Sequence, residues 1–332
     1  MKQLKLILLL LFLDSLVVPG FSYAQKGTIF ASNYPLAYFA ERISGKPERV
    51  IFPEIDGDPA FWEPTSDDIF AMQQADVILL NGATYEKWKN HVSIPRRKVV
   101  ETAKGLEDQF IGLEDAVGHS HGPSGDHAHA GTAFTTWMDL SLAVSQAEAV
   151  KNALVTINIA PESELNNNFE VLKKELLSID GELRSITEGY SDVPLVASHP
   201  VYQYFARRYN LSPQAVLWEP NSFPEEDKWN ELGKLVERHS AKWMLWEGKP
   251  LPESVARLKE MGIESVVIDP CGNRPDEGDF MSVMKDNVAN LRNVFRKEEA
   301  VFCTMDVKQC PDGSYVSRKP PTCAFEACPL QT

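Results

Sequence analysis

Short β-rich runs alternate with helical patterns along most of the chain, and this alternation restricts the fold more than any other feature. GTIFAS (27–32) predicts a strand, and PLAYFAERISG the helix after it. RVIFPEI, the helical SDDIFAMQQA, DVILLNGA and KVVETA (98–103) continue the order up to a histidine-rich stretch. From VPLVAS (193–198) the rhythm resumes with the helix VYQYFARRYN, the strand AVLWEP and the helix PEEDKWNELGKLVERHS. The strand AKWMLWEG, the helix PESVARLKEMG, the strand ESVVIDP and a closing helix over roughly 280–299 complete it. Strands alternating with helices of this length build right-handed βαβ units and parallel sheets, so the fold class is α/β.

Between the two runs lies PESELNNNFEVLKKELLSIDGELRSITEGY, residues 161–190. Phe169, Leu172, Leu176, Ile179, Leu183 and Ile186 recur there at helical spacing with charges between them. The heptad pattern is too brief for a coiled coil, and the helix is too long for a crossover inside one domain. It predicts a rigid connection between two α/β lobes, residues 25–160 and 191–300. A cleft between such lobes is lined by the C-terminal ends of their strands.

The first 24 residues read as a secretory signal: Lys2 and Lys5, a short apolar run Leu6–Leu13, and Ser22-Tyr23-Ala24 before the cut. Gln25 rather than cysteine follows, which does not indicate a lipid anchor. The formal charge of −14 speaks against nucleic acid or an anionic membrane surface as partner and suits a protein that handles cations. Cys303, Cys310, Cys323 and Cys328 crowd residues 301–332, which lack the apolar content for a core. In an exported chain they predict two disulfides in a small stapled appendage, with three connectivities open.

His199 directly follows VPLVAS and Asp269 directly follows ESVVI, so both fall at strand ends where open α/β sheets bind ligands. Imidazole plus carboxylate suits zinc, manganese or iron(II). The bland alternative is a helix cap for His199 and a turn before Pro270 for Asp269. Glu219 in LWEPNSFP and Glu247 in LWEGKP also follow strands, and ion pairing or capping is the safer reading for them. Cys271, two residues past Asp269, offers a thiolate as a soft ligand, but a small buried apolar residue is the stronger reading. No G-x-S-x-G elbow, H-E-x-x-H pair or glycine-rich phosphate loop supports catalysis.

The chain resembles the metal-binding (zinc and manganese) solute receptors of ABC importers over about residues 27–298. The resemblance rests on YPLAYFAERISG, GDPAFWEPT, ADVILLNGATYEKW, TTWMDL, HPVYQYFARRY and VVIDP, taken in order. It implies two Rossmann-like lobes joined by a long helix, an exported periplasmic monomer, and a membrane permease as partner. The family's four ligand positions fall on Ala60, Thr135, His199 and Asp269. Two of the four carry no good ligand, which marks a divergent member.

GHSHGPSGDHAHAG (118–131), just before TTWMDL, then becomes the nearest source of imidazole, with His129 and His127 best placed to complete the site. Glu63 is a second candidate repair. A third is a change of cargo to a metal chelate or organic solute, with Phe61, Trp62 and Trp137 as an aromatic wall, although core packing is the stronger reading for Trp137. The expected function is capture of a transition metal, zinc first, for delivery to the importer. A metal-dependent hydrolase is the remaining alternative.

Overall fold

In the computed structural model the described residues are 27–53, 55, 62–113, 119–120, 126–127, 131–295, 303–319 and 322–329. The first lobe begins with β1 (Ile29–Ala31), α1 (Tyr34–Ser44), β2 (Val50–Ile51) and α2 (Ser66–Gln74). It continues with β3 (Val77–Leu80), β4 (Val99–Glu101), β5 (Gly112–Leu113), β6 (His119–Ser120), β7 (Asp126–His127) and β8 (Gly131–Thr132). α3 (Leu140–Thr156) and the 26-residue α4 (Glu162–Thr187) lead to the second lobe. That lobe holds β9 (Leu195–Ala197), α5 (Gln203–Tyr209), β10 (Pro213–Ala215), α6 (Glu226–His239) and β11 (Trp243–Trp246). α7 (Pro252–Glu260), β12 (Glu264–Val267) and α8 (Phe280–Val294) close it, before β13 (Val307–Gln309), β14 (Tyr315–Lys319) and β15 (Ala324–Phe325).

Each lobe carries one four-stranded parallel sheet, in the orders β2-β1-β3-β4 and β10-β9-β11-β12. The strands are short and nearly all apolar: β1, β3 and β9 are buried along their whole length, as parallel strands covered on both faces must be. Helix starts follow ordinary capping chemistry. Asn33 accepts from the Leu36 N–H at 3.1 Å, and Asp139 accepts from the Ser141 N–H at 3.0 Å. At the other end of α1, Gly45 takes the left-handed backbone that closes the helix.

α4 buries Leu165, Phe169, Leu172, Leu176, Ile179 and Leu183 against α3, α1 and α8. Each such side chain contributes about 1.5–3 kcal/mol of burial. Its buried Asp180 also receives two hydrogen bonds from Arg208 of α5, at 2.8 and 2.6 Å, and one from Tyr209 at 3.2 Å. Arg208 lies 3.6 Å from Asp139 as well, so one guanidinium joins the second lobe, the long helix and the start of α3. α3 itself has no counterpart in the sequence reading, because its apolar residues spread over too much of its surface to show a narrow stripe.

The apolar run AVLWEP is extended as predicted but forms sheet pairs earlier, at Pro213–Ala215. The C-terminal appendage is an antiparallel sheet in the order β13-β14-β15, stapled by Cys303–Cys323 and Cys310–Cys328. This is one of the three connectivities left open by the sequence. No helix among the described residues is long and apolar enough to cross a membrane.

Candidate metal centre between the lobes

All four strands of the second sheet deliver a ligand-capable side chain at their C-terminal ends. His199 lies two residues past β9, Glu247 one past β11 and Asp269 two past β12. Glu219 comes later, because the chain after β10 stays extended: the Val216 N–H donates to Ala197 O at 2.9 Å and the Trp218 N–H to Ser198 O at 2.8 Å. The sheet order therefore sets the row Glu219, His199, Glu247, Asp269.

His199 is 7% exposed, and its Nδ1 lies 3.1 Å from Oε1 of Glu247. One ligand atom each from His199, Glu219 and Glu247 fall within 4.8 Å of one another. Asp269 stands outside this trio but lines the same cavity as Glu219 and Glu247. Its loop is firmly held: Asn287 brackets the Asp269 backbone at both N–H and C=O, each at 2.8 Å, and the Cys271 N–H donates to Asp269 Oδ1 at 2.6 Å. Burial raises the Asp269 carboxyl above its usual range; the Cys271 N–H opposes this and the charge of Glu247 adds to it. Tyr202, whose hydroxyl donates to Ile268 O at 2.8 Å, is held neutral by burial and by the nearby Glu247 and Asp269 charges.

The cavity measures about 310 Å³ and lies between the lobes. Its carboxylates are Glu219, Glu247 and Asp269, and among the described residues no lysine or arginine lines it. The first lobe contributes Tyr85, Phe134, Thr135 and Trp137. Tyr85 meets Phe134 and Trp137 edge to face, at 5.5 and 5.7 Å between ring centroids. Trp137 is both core and wall: it is 2% exposed, and its indole donates to Pro270 O at 2.7 Å, beside Asp269.

The first lobe's own strand ends are closed by polar side chains. Asn81, Thr102, Thr136 and Gln146 bond to one another, and the buried Glu86 accepts from the Asn81 and Gly82 N–H groups at 2.6 and 3.0 Å. Thr135, at a family ligand position, donates its hydroxyl to Val201 O of the second lobe at 2.6 Å. It bridges the lobes.

Asp269 lines the cleft, whereas His199 does not line it and adjoins it through Glu247, whose Oε1 lies 3.1 Å from its Nδ1. Ala60, Phe61 and His129 lie outside the described residues, as does the side chain of His127, whose backbone pairs with His119. Glu63 is exposed and does not line the cavity. Trp62 packs on Trp88 at 5.8 Å and does not line the cavity, whose aromatic wall among the described residues is Tyr85, Phe134 and Trp137. Glu219 and Glu247 face the cavity, where sequence favoured capping or ion pairing; Glu247 does both, through its contact with His199. The signal for them was available: each follows a strand of the sheet that carries His199 and Asp269. Cys271 is 2% exposed with left-handed backbone, and burial pushes its thiol far above the usual range, which leaves it inert.

Comparison with known proteins agrees with this architecture. Residues 29–294 match the family model of ZnuA, zinc-uptake complex component A, periplasmic. The chain is similar to the metal ABC transporter substrate-binding lipoprotein SsaB of Streptococcus sanguinis, with 26% identity over 81% of this chain and 89% of that protein. It is also similar to the zinc-binding protein AdcA of Streptococcus pyogenes, at 22% identity over 80% of this chain and 56% of AdcA. Among solved structures, the metal-dependent lipoprotein YcdH of Bacillus subtilis shares the fold with a TM-score of 0.67 at 18% identity, over 81% of this chain and all of YcdH. The Zn(II)-bound ZnuA-like domain of Streptococcus pneumoniae AdcA does so at 0.66 and 17%, over 82% of this chain and all of that domain. The chain belongs to the ZnuA family, whose members are substrate-binding components of metal importers and not enzymes.

Proposed function

We propose that this chain, exported to the periplasm by residues 1–24, captures a divalent transition metal in the interlobe cavity and delivers it to the permease of an ABC importer. Zinc is the first cargo to test, with manganese and iron(II) behind it. The observation that carries this reading is a cavity with three carboxylates and no cationic side chain among its described lining residues, two of which, Glu219 and Glu247, group with the buried imidazole of His199. Such a field is costly without a bound cation and favourable with one.

The test is a competition titration of metal-stripped protein against a chromophoric chelator. One ion per chain is expected for wild type, and loss of tight binding in His199→Ala. Wild type that takes up neither zinc, manganese nor iron(II) overturns the reading.

The loop has a place in this account. β5 pairs with β8, and Thr84 donates to Thr132 O at 3.0 Å, so the base of the histidine-rich stretch sits beside the cavity residues Phe134 and Thr135. His127 and His129 are thereby proposed to meet incoming metal at the cleft.

A second reading, a metal chelate or organic solute, draws support from the aromatic wall and from a volume in the range of small-molecule pockets. Native mass spectrometry separates the two by the bound mass. The hydrolase alternative falls with membership of a receptor family.

A further inference from the structure

We infer that the metal seat is complete within the second lobe: His199, Glu219 and Glu247 hold the ion, and the two glutamates do the work for which the family pattern uses first-lobe side chains. This rests on the metal-receptor reading and goes further by assigning ligands that the resemblance does not supply.

The geometry suits it. Two ligands about 2.1 Å from one ion stand about 3.0 Å apart at octahedral right angles and about 3.4 Å apart in a tetrahedron. The 3.1 Å between His199 Nδ1 and Glu247 Oε1 is already such an edge. With one ligand atom of each residue within 4.8 Å of the others, a side-chain movement of Glu219 closes the other two edges. Its position just past the extended segment beside β9 is fixed by the Trp218–Ser198 backbone bond.

The first lobe is differently equipped. Its cavity side chains among the described residues are three aromatic rings and Thr135, whose hydroxyl is spent on Val201 O. A neutral hydroxyl is a poor ligand for a borderline metal, and aromatic rings supply none. In this arrangement the first lobe covers a loaded seat with an apolar wall and contributes no bond to the ion. Asp269, next to Glu247 in strand order, lines the same cavity outside the trio.

The test compares zinc affinity in the full mature chain, in Glu219→Gln, in Glu247→Gln and in a variant lacking residues 118–130. Each glutamine variant, nearly isosteric, is expected to lose at least tenfold, and the deletion less than threefold. The opposite ranking overturns the inference while leaving the metal-receptor reading intact. Wild type that fails to bind zinc or manganese overturns both. X-ray absorption on the zinc-loaded chain adds a readout that misfolding does not mimic. One imidazole among oxygen donors is expected, and two or more imidazoles contradict the seat.

Discussion

His199 and Glu247 face each other because β9 and β11 pair in register, Ala197 opposite Leu245, and each side chain follows its paired residue by two positions. The 3.1 Å contact between them is therefore a product of sheet geometry. Replacing His199 with alanine removes the only imidazole of the trio and leaves its carboxylates facing one another. Zinc affinity should fall at least 100-fold in chelator competition, while the far-ultraviolet circular dichroism of the protein stays unchanged.

Metal uptake should weaken with acid. Protons compete with the ion for His199 and for Asp269, and burial raises the Asp269 carboxyl, so its competition begins at higher pH than for an exposed aspartate. Affinity measured from pH 7.5 downward should decline steeply below about pH 6, where imidazole also protonates. A flat profile between pH 7 and 5 contradicts a seat containing both groups.

Much of this was legible in the sequence. Short β-rich runs and helical patterns marked most strands and helices of both lobes, and the residues directly after VPLVAS and ESVVI named His199 and Asp269. Glu219 and Glu247 were visible by the same rule but open to a competing one, since glutamates after strands often cap or pair. What decides between the rules is sheet order, β10-β9-β11-β12, and that depends on contacts far apart in the chain. Helix α3 escaped notice for a related reason. It is covered by α1 and α4 together, so its apolar positions are spread around the helix.

Arg208 ties the lobes through Asp180 and Asp139. Arg208→Ala strands the buried Asp180 carboxylate with only Tyr209 as donor. With Arg208 partly exposed, the cost should be about 1–3 kcal/mol in urea unfolding, with the largest loss at low salt. Unchanged stability would show that the bridge is incidental.

The appendage should behave as a separate unit. Arg318 and Thr304 hold the Asp306 carboxyl down to about 2. A lowered folded value means that its contribution to stability is present above the unfolded value, about 3.9, and lost as pH falls through about 2. In NMR titration the Asp306 carboxyl should titrate near pH 2 in the native chain and move up toward 3.9 once both disulfides are reduced. Zinc affinity should be the same in both states, because no tail residue among the described residues lines the cavity.

The most direct test is an anomalous difference map from crystals of the zinc-loaded mature chain, collected at the zinc edge. A single strong peak is expected between His199, Glu219 and Glu247, with Asp269 nearby and the rings of Tyr85, Phe134 and Trp137 on the opposite side. A peak on the histidine-rich stretch with none in the cavity would contradict the account.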